Sequence, residues 1–387
     1  MIAMSLSSFW FGSIVDHNRK KKVMLISSAI TVVLFGFAFL VYTLAAPSAF
    51  TTVASPILWL FVLLILFAIL AGNLRSIAMP TTVTLLVPEN ARDKANGMVG
   101  MVMGFSSMGA GLASGFALAY LGLAWVLGIG IIVMIAALIH LLLLPIPEAE
   151  IIHTEEKPKQ IDVRGTIRVI KEIPGLFPLI FFTTFNNLLG GAFMALMDPY
   201  GLSLMSVQAW STLWGVLSSG FIIGGLYIAR YGLGSRPLRT LFRINIATWI
   251  VCILFVIQPS IILLSVGILI WVCLMPFIEA TEHTIIQKVV PFERQGRVIG
   301  FAQSVETAAS PVTAFFVGPI AQFIFIPFMT TGAGVRLIGD WFGTGAGRGI
   351  ALVFIITGII GLCVTLIAMH SRSYKILADR YAESAGS

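Results

Sequence analysis

The sequence predicts an all-α membrane protein, on three observations. Apolar residues make up 58% of the 387-residue chain and charged residues only 11%, with a mean hydropathy of +0.98. A soluble chain carries about a quarter charged residues. The apolar residues gather into blocks of about the 20 residues that cross a ~30 Å hydrocarbon core. The Lys and Arg between the blocks fall almost wholly on alternate connections, as the positive-inside rule requires.

In chain order the complete spans are expected at 23–45, 56–86, 97–119, 121–144, 175–197, 209–230, 239–257, 260–287, 298–328 and 349–370. Those at 56–86 and 298–328 are long enough to tilt or to extend beyond the bilayer. Residues 1–15 form an eleventh, partial helix, reaching only about 22 Å at ~1.5 Å per residue. This N-terminal segment lacks a basic n-region and an A-x-A-like site, so it does not read as a signal peptide. One set of connections, with the C-terminal tail, holds 21 Lys and Arg and the other holds Arg336 and Arg348, Arg75 lying within a span. The first set and the tail are therefore expected in the cytoplasm, and residue 1 on the outer face.

Composition also excludes. The net charge of +7 is spread over small interhelical clusters, which argues for a bilayer and against nucleic acid as partner. Cys252, Cys273 and Cys363 lie inside apolar blocks without metal-ligand spacing, so neither a disulfide framework nor a zinc site follows. No G-x-x-x-x-G-K-[ST] loop, nucleophile elbow or HExxH is present, so an enzyme is not expected, nor a cofactor. The Gly343–Gly349 stretch lacks the Lys-Ser/Thr of a phosphate loop and reads as a flexible outer loop.

Two internal echoes suggest a duplicated architecture. Val87-Pro88-Glu89-Asn90-Ala91-Arg92-Asp93-Lys94-Ala95-Asn96-Gly97 recurs as Val290-Pro291-Phe292-Glu293-Arg294-Gln295-Gly296-Arg297-Val298-Ile299-Gly300. Gly12-Ser-Ile-Val-Asp16-His17-Asn18-Arg19-Lys20-Lys21-Lys22-Val23-Met24 has an eroded partner at Gly225–Gly232, where Ala229 replaces Asp16. The expected organisation is a helical bundle at 1–145, a linker at 146–174, a six-helix bundle at 175–370 and a tail at 371–387. Within the linker, Ile161–Ile170 has one apolar and one basic side and is expected along the inner membrane surface.

The Gly12–Met24 loop resembles the one joining the second and third helices of major facilitator superfamily transporters, and the parallel-repeat layout is similar to theirs. Arg92–Gly97 and the Gly-rich Thr330–Gly349 resemble the macrolide-efflux type of drug/proton antiporter. The glycines at 100, 104, 109, 111 and 115 look like an eroded antiporter signature, although close helix packing alone accounts for them. The resemblance implies a twelve-helix fold of two pseudo-symmetric bundles. About eleven helices are present here, the first being absent and the second partial. It further implies that Gly12, Asp16, Lys20 and Lys21 form a gating loop, Asp16 engaging neighbouring helix ends and the lysines anchoring the loop.

Ionisable residues within spans cost roughly 2.5–3.5 kcal/mol on insertion scales and each needs a reason. Arg75, Glu279, Glu282 and Glu306 stand out. Glu279 is nine residues from Lys288 and Glu306 nine from Arg297, about 13 Å deep. By the repeat, Ser76 lies level with Glu279, and Arg75 is one residue away at similar depth. Because the family's cavity is lined by its first, fourth, seventh and tenth helices, Arg75 and Glu279 are expected to face one another. The pair is then either a structural ion pair or a protonatable coupling group with its tuning cation. Glu279 and His283 share a helix face, but further metal ligands are missing. Phe185, Asn186 and Asn187, followed by Gly190 and Gly191, suggest a weakened cavity helix or, equally, tight interhelical packing with Asn hydrogen bonds.

The function implied is proton-coupled efflux of an amphipathic or apolar small molecule, drug- or macrolide-like, through a multi-pass monomer of the cell membrane. The alternatives are import of a small metabolite and a non-transporting truncated fragment.

Overall fold

The computed structural model describes residues 2–148 and 163–383. Helix α1 (Ile2–His17) leads into α2 (Lys20–Leu44), followed by α3 (Pro56–Leu86), α4 (Arg92–Tyr120) and α5 (Leu123–Leu143). After the linker come α6 (Val163–Glu172) and α7 (Leu176–Leu202). A span broken at Ser218 into α8 (Val207–Leu217) and α9 (Ser219–Tyr231) precedes α10 (Pro237–Leu254) and α11 (Ile261–Val289). Helix α12 (Gln295–Ile320) passes through a π turn at Ala321–Phe325 into α13 (Ile326–Thr330). The wide turn lies just before Pro327, whose ring nitrogen offers no N–H to an α-helical ladder. The chain ends with α14 (Ala333–Phe342), α15 (Ala346–His370) and α16 (Arg372–Glu383).

Among the described residues, nine helical segments are long and apolar enough to span a bilayer. Helix α4 matches them in length at 29 residues. Each expected span is found, with ends displaced by a few residues.

The helices form two bundles, α1–α5 and α7–α15. Helix α2 packs on α3 and α5 as α10 packs on α11 and α15. The bundles meet along two seams, α1 on α12 and α4 on α9. In the second bundle α7 packs against α12 and α15. Among the described residues no helix takes the equivalent place beside α4 and α5.

The sequence repeat is also a backbone repeat. Val87 (φ −114°, ψ 127°) and Val290 (φ −102°, ψ 129°) end α3 and α11 in extended geometry. A 3-10 turn follows each, and both turns close at φ −121°, ψ 0°, on Ala91 and Arg294. Arg92 then reaches back to Val87 O and Thr84 O, both at 3.3 Å. Gln295 does the same to Val290 O and Gln287 O, both at 3.0 Å. Two different side chains thus satisfy the same orphan carbonyls of the preceding helix.

Two expectations need correction. The apolar side of α6 is not free for the membrane. Thr166 and Ile170 are buried, and the helix packs on α7 and α12, extending the core through Ile173 and Leu176. The Gly343–Gly349 stretch is not a flexible loop. Helix α15 begins within it at Ala346, and buried Arg348 ties it down through Phe342 O (2.6 Å) and Ile257 O (2.9 Å).

Helix α16 lies across the basic end. Leu377 is buried over Gly175, and Tyr374 meets Phe242 edge-on at 4.9 Å. Tyr381 lies 4.2 Å beneath the Lys288 ammonium, itself 3.0 Å from Glu89. Burial, then the nearby charges of Asp93 and Glu89, push the Tyr381 hydroxyl up to about 12.

Candidate functional site

Three helices of the second bundle bring two carboxyl groups together. Thr183 of α7 donates to Glu306 Oε1 of α12, and Glu282 of α11 lies beside them, close enough for the two carboxyl groups to feel one another's charge. Glu279, one turn away on α11, opens into a cavity of about 30 Å³ between the bundles. Its walls include Pro80 of α3, Asn96 and Gly100 of α4, and Pro276 and His283 of α11. Of the four span-embedded charges singled out in the sequence, the three carboxylates therefore form one cluster.

Arg75 does not join it. Its guanidinium donates to Ser28 Oγ at 3.2 Å, on α2, and makes no ion pair with Glu279. The projection from the repeat did not fix its direction around α3. One residue of difference turns a helix by about 100°, and Ser76, not Arg75, points to the second bundle. Ser76 Oγ accepts from Gln303 at 3.5 Å and donates to Asn73, which in turn reaches Ser8 of α1.

A buried polar seal lies between the cavity and the basic end. Asn96 Nδ2 donates to Thr284 Oγ1 and to Gln287 Oε1, both at 2.9 Å. Gln287 Nε2 donates to Pro80 O at 2.9 Å, and Arg92 Nη1 to Gln287 O at 3.1 Å. One side of every bond in this set belongs to α3 or α4, the other to α11. Sequence reasoning missed it, because single amides near helix ends carry no motif.

The two seams close the same end. In the first, Asp16 accepts from the backbone N–H of Gly296 (2.7 Å) and of Arg297 (2.9 Å), at the start of α12. Arg297 Nε lies 3.6 Å from the same carboxylate. Gly12 and Gly296 are required here, since a Cβ on either would strike the facing backbone or Asp16 itself. Lys20 Nζ donates to Val15 O (2.6 Å) and Lys21 Nζ to Leu142 O (3.0 Å) and Leu144 O (2.6 Å), fastening the loop to α1 and α5. In the second seam the repeat places Ala229 where Asp16 stands, and the carboxylate comes from the other side. Asp93, the counterpart of Gly296, accepts from Leu233 N at 2.9 Å.

Helix α7 is continuous through its Asn and Gly pairs. Asn186 Oδ1 accepts from Trp249 Nε1 at 2.9 Å, and Gly191 lies against Ser310 and Thr313 of α12. These are packing contacts. Asn187 is exposed, its amide bonded to Thr183 O at 3.1 Å, and Phe185 is half-buried beside it.

Residues 1–314 match the family model described as Major Facilitator Superfamily. The chain belongs to this superfamily. It is accordingly a multi-pass membrane transporter by family and not a typical enzyme. No curated protein sequence matches it. Among solved structures, a bacterial homologue of the iron transporter ferroportin in the outward-facing state aligns with TM-score 0.64 at 14% identity, covering 96% of this chain and 88% of that one. The human organic anion transporter MFSD10 aligns with TM-score 0.59 at 13% identity, covering 93% and 81%. The proton:xylose symporter XylE bound to 6-bromo-6-deoxy-D-glucose gives 0.56 at 13%, covering 94% and 83%. At these identities the likeness is one of fold.

Proposed function

We propose that this major facilitator exports amphipathic or apolar small molecules in exchange for protons. It works as a monomer in the cell membrane, with the basic end and C-terminus in the cytoplasm. The observation that carries the reading is the cluster of three span-embedded carboxyl groups, Glu282 beside Glu306 with Glu279 one turn away at the bundle interface. A carboxyl cluster at this depth that gains or loses a proton changes charge inside the membrane. Moving one charge through 100 mV is worth ~2.3 kcal/mol, enough to bias a two-state equilibrium. The bundles at 1–145 and 175–370 rock about this cluster. The two seams and the Asn96–Gln287 seal hold the state closed to the cytoplasm, and Gly12, Asp16, Lys20 and Lys21 act as its gate. Asn187 and Phe185 supply a polar and an aromatic contact for substrate.

The test uses proteoliposomes with an imposed pH gradient and rhodamine 6G as an amphipathic probe. The parent protein moves the dye uphill, whereas Glu279→Gln and Glu282→Gln lose uphill movement while remaining in the membrane. Undiminished uphill transport by both variants refutes proton coupling through the cluster.

A further inference from the structure

The cytoplasmic cations of this chain fall into two groups. Most of those along the seams spend their charge on the protein itself. Lys20, Lys21 and Arg92 reach main-chain carbonyls, Lys288 pairs with Glu89, and Arg297 lies beside Asp16. Helix α10 is different. Arg236 stands at its start, with Arg239 and Arg243 following, and all three are exposed. Among the described residues none of the three guanidinium groups has a hydrogen bond or an ion pair, and α10 contains no acidic residue.

Their direction is informative. At about 100° per residue, positions 239, 243, 250 and 254 share a sector of roughly 60°. Ile250 and Leu254 are 41% and 49% exposed apolar residues on the membrane-facing side of a bundle helix. The arginines therefore continue a lipid-contacting stripe to its cytoplasmic end. Arg243, seven residues in, is about 10 Å from the helix start and can lay its stem along that stripe with its head at headgroup level. The Phe242–Tyr374 contact at 4.9 Å brings exposed Arg372 and Lys375 of α16 to the same corner.

We propose that Arg236, Arg239 and Arg243 form a binding site for the phosphate headgroup of an anionic phospholipid in the cytoplasmic leaflet. Planar guanidinium forks suit phosphate oxygens, and the acyl chains lie along Ile250 and Leu254. Exposed cations elsewhere, such as Lys22 and Lys171, sit on other helices and make no such row.

The experiment is a native mass-spectrometry titration of the detergent-solubilised full chain with dioleoyl-phosphatidylglycerol, with dioleoyl-phosphatidylcholine as the zwitterionic control. The parent retains phosphatidylglycerol in preference to phosphatidylcholine. The R239Q/R243Q variant binds it roughly 30-fold more weakly, as expected for two basic residues at a membrane surface, while the charge-matched K22Q/K171Q variant binds like the parent. Equal loss in both variants would mean a diffuse charge effect and overturns the site, as does phosphatidylcholine binding as well as phosphatidylglycerol. Displacement by soluble glycerol 3-phosphate at equal concentration would identify a free-phosphate site and overturn the lipid assignment.

Discussion

Replacing Asp16 with Asn tests the first seam directly. The carboxylate is 2% exposed, accepts two main-chain N–H groups at 2.7 and 2.9 Å, and has Arg297 Nε at 3.6 Å. An Asn keeps one acceptor and turns an NH2 group towards the second amide. One charge-assisted bond is lost, worth about 1.5–3 kcal/mol, and one buried N–H is left facing a donor, at about 1–3 kcal/mol. A combined cost near 3 kcal/mol, borne only by the closed arrangement, moves the open-to-closed ratio by on the order of 100-fold. Spin labels at exposed Lys22 and Ser235, one on each bundle at the basic end, read this as a distance distribution. The parent carries Ala in place of Cys252, Cys273 and Cys363. In the Asp16→Asn variant a longer-distance population should appear, with helical content unchanged. A distribution identical to the parent's, from folded protein, would show that the seam does not hold the bundles together.

Three further outcomes follow from the same geometry. Gln287→Leu removes one of the two acceptors of Asn96 and the amide that reaches Pro80 O across the interface, so a Cys placed at Glu279 should react faster with a maleimide added from the basic side; an unchanged rate argues that the amide seal is not the barrier. Asn186→Leu leaves Trp249 Nε1 buried without a partner, costing about 1–3 kcal/mol, so the melting temperature should fall while the Lys22–Ser235 distance stays the same. Burial pushes the Tyr381 hydroxyl above the usual tyrosine range of about 10, up to about 12. The folded state thus favours the neutral phenol, and this contribution to α16 docking is complete below pH 10 and lost as the pH rises to about 12. An ultraviolet titration of Tyr381→Phe should lack one tyrosine ionisation near pH 12 that the parent shows.

Spans were the most legible feature, because crossing a bilayer imposes a length and a composition that few other constraints mimic. The Pro88 and Pro291 echo was legible for a related reason. Helix, extended residue, 3-10 turn, helix is a local backbone recipe, and both copies fold it the same way although Arg92 and Gln295 differ. Direction around a helix was harder to read. Glu279, Glu282 and Glu306 were found because charge in a span is costly wherever it points, whereas the expected Arg75–Glu279 pair failed on azimuth. A weak repeat fixes depth to about one residue, and one residue is more than a quarter of a turn. Thr183, Asn96 and Gln287 were not visible, since neutral polar residues are common in spans and acquire meaning only from the partner opposite. Likewise, α6 has the amphipathic pattern of a surface helix, and only the neighbouring α7 and α12 show that its apolar side is already covered.

The second seam shows why the eroded loop echo does not mean an eroded function. Pseudo-symmetry predicts a carboxylate at position 229 reaching the start of α4, and Ala229 supplies none. Asp93 sits where the repeat has Gly296, so the acid has changed sides while the bond it makes, carboxylate to main-chain N–H across the bundle interface, is kept. Each seam has a carboxylate that accepts from main-chain amides of the other bundle, at the start of α12 in the first and just past the end of α9 in the second; which bundle contributes it is immaterial to closure. The two seams therefore need not share a motif to act as one device. Both lie at the basic end, flanking the Asn96–Gln287 seal, and a rotation that separates α1 from α12 must also draw α4 away from α9. A single rigid movement of one bundle against the other breaks all three sets of bonds together, which is why loss of Asp16 alone is expected to be felt across the whole closed face.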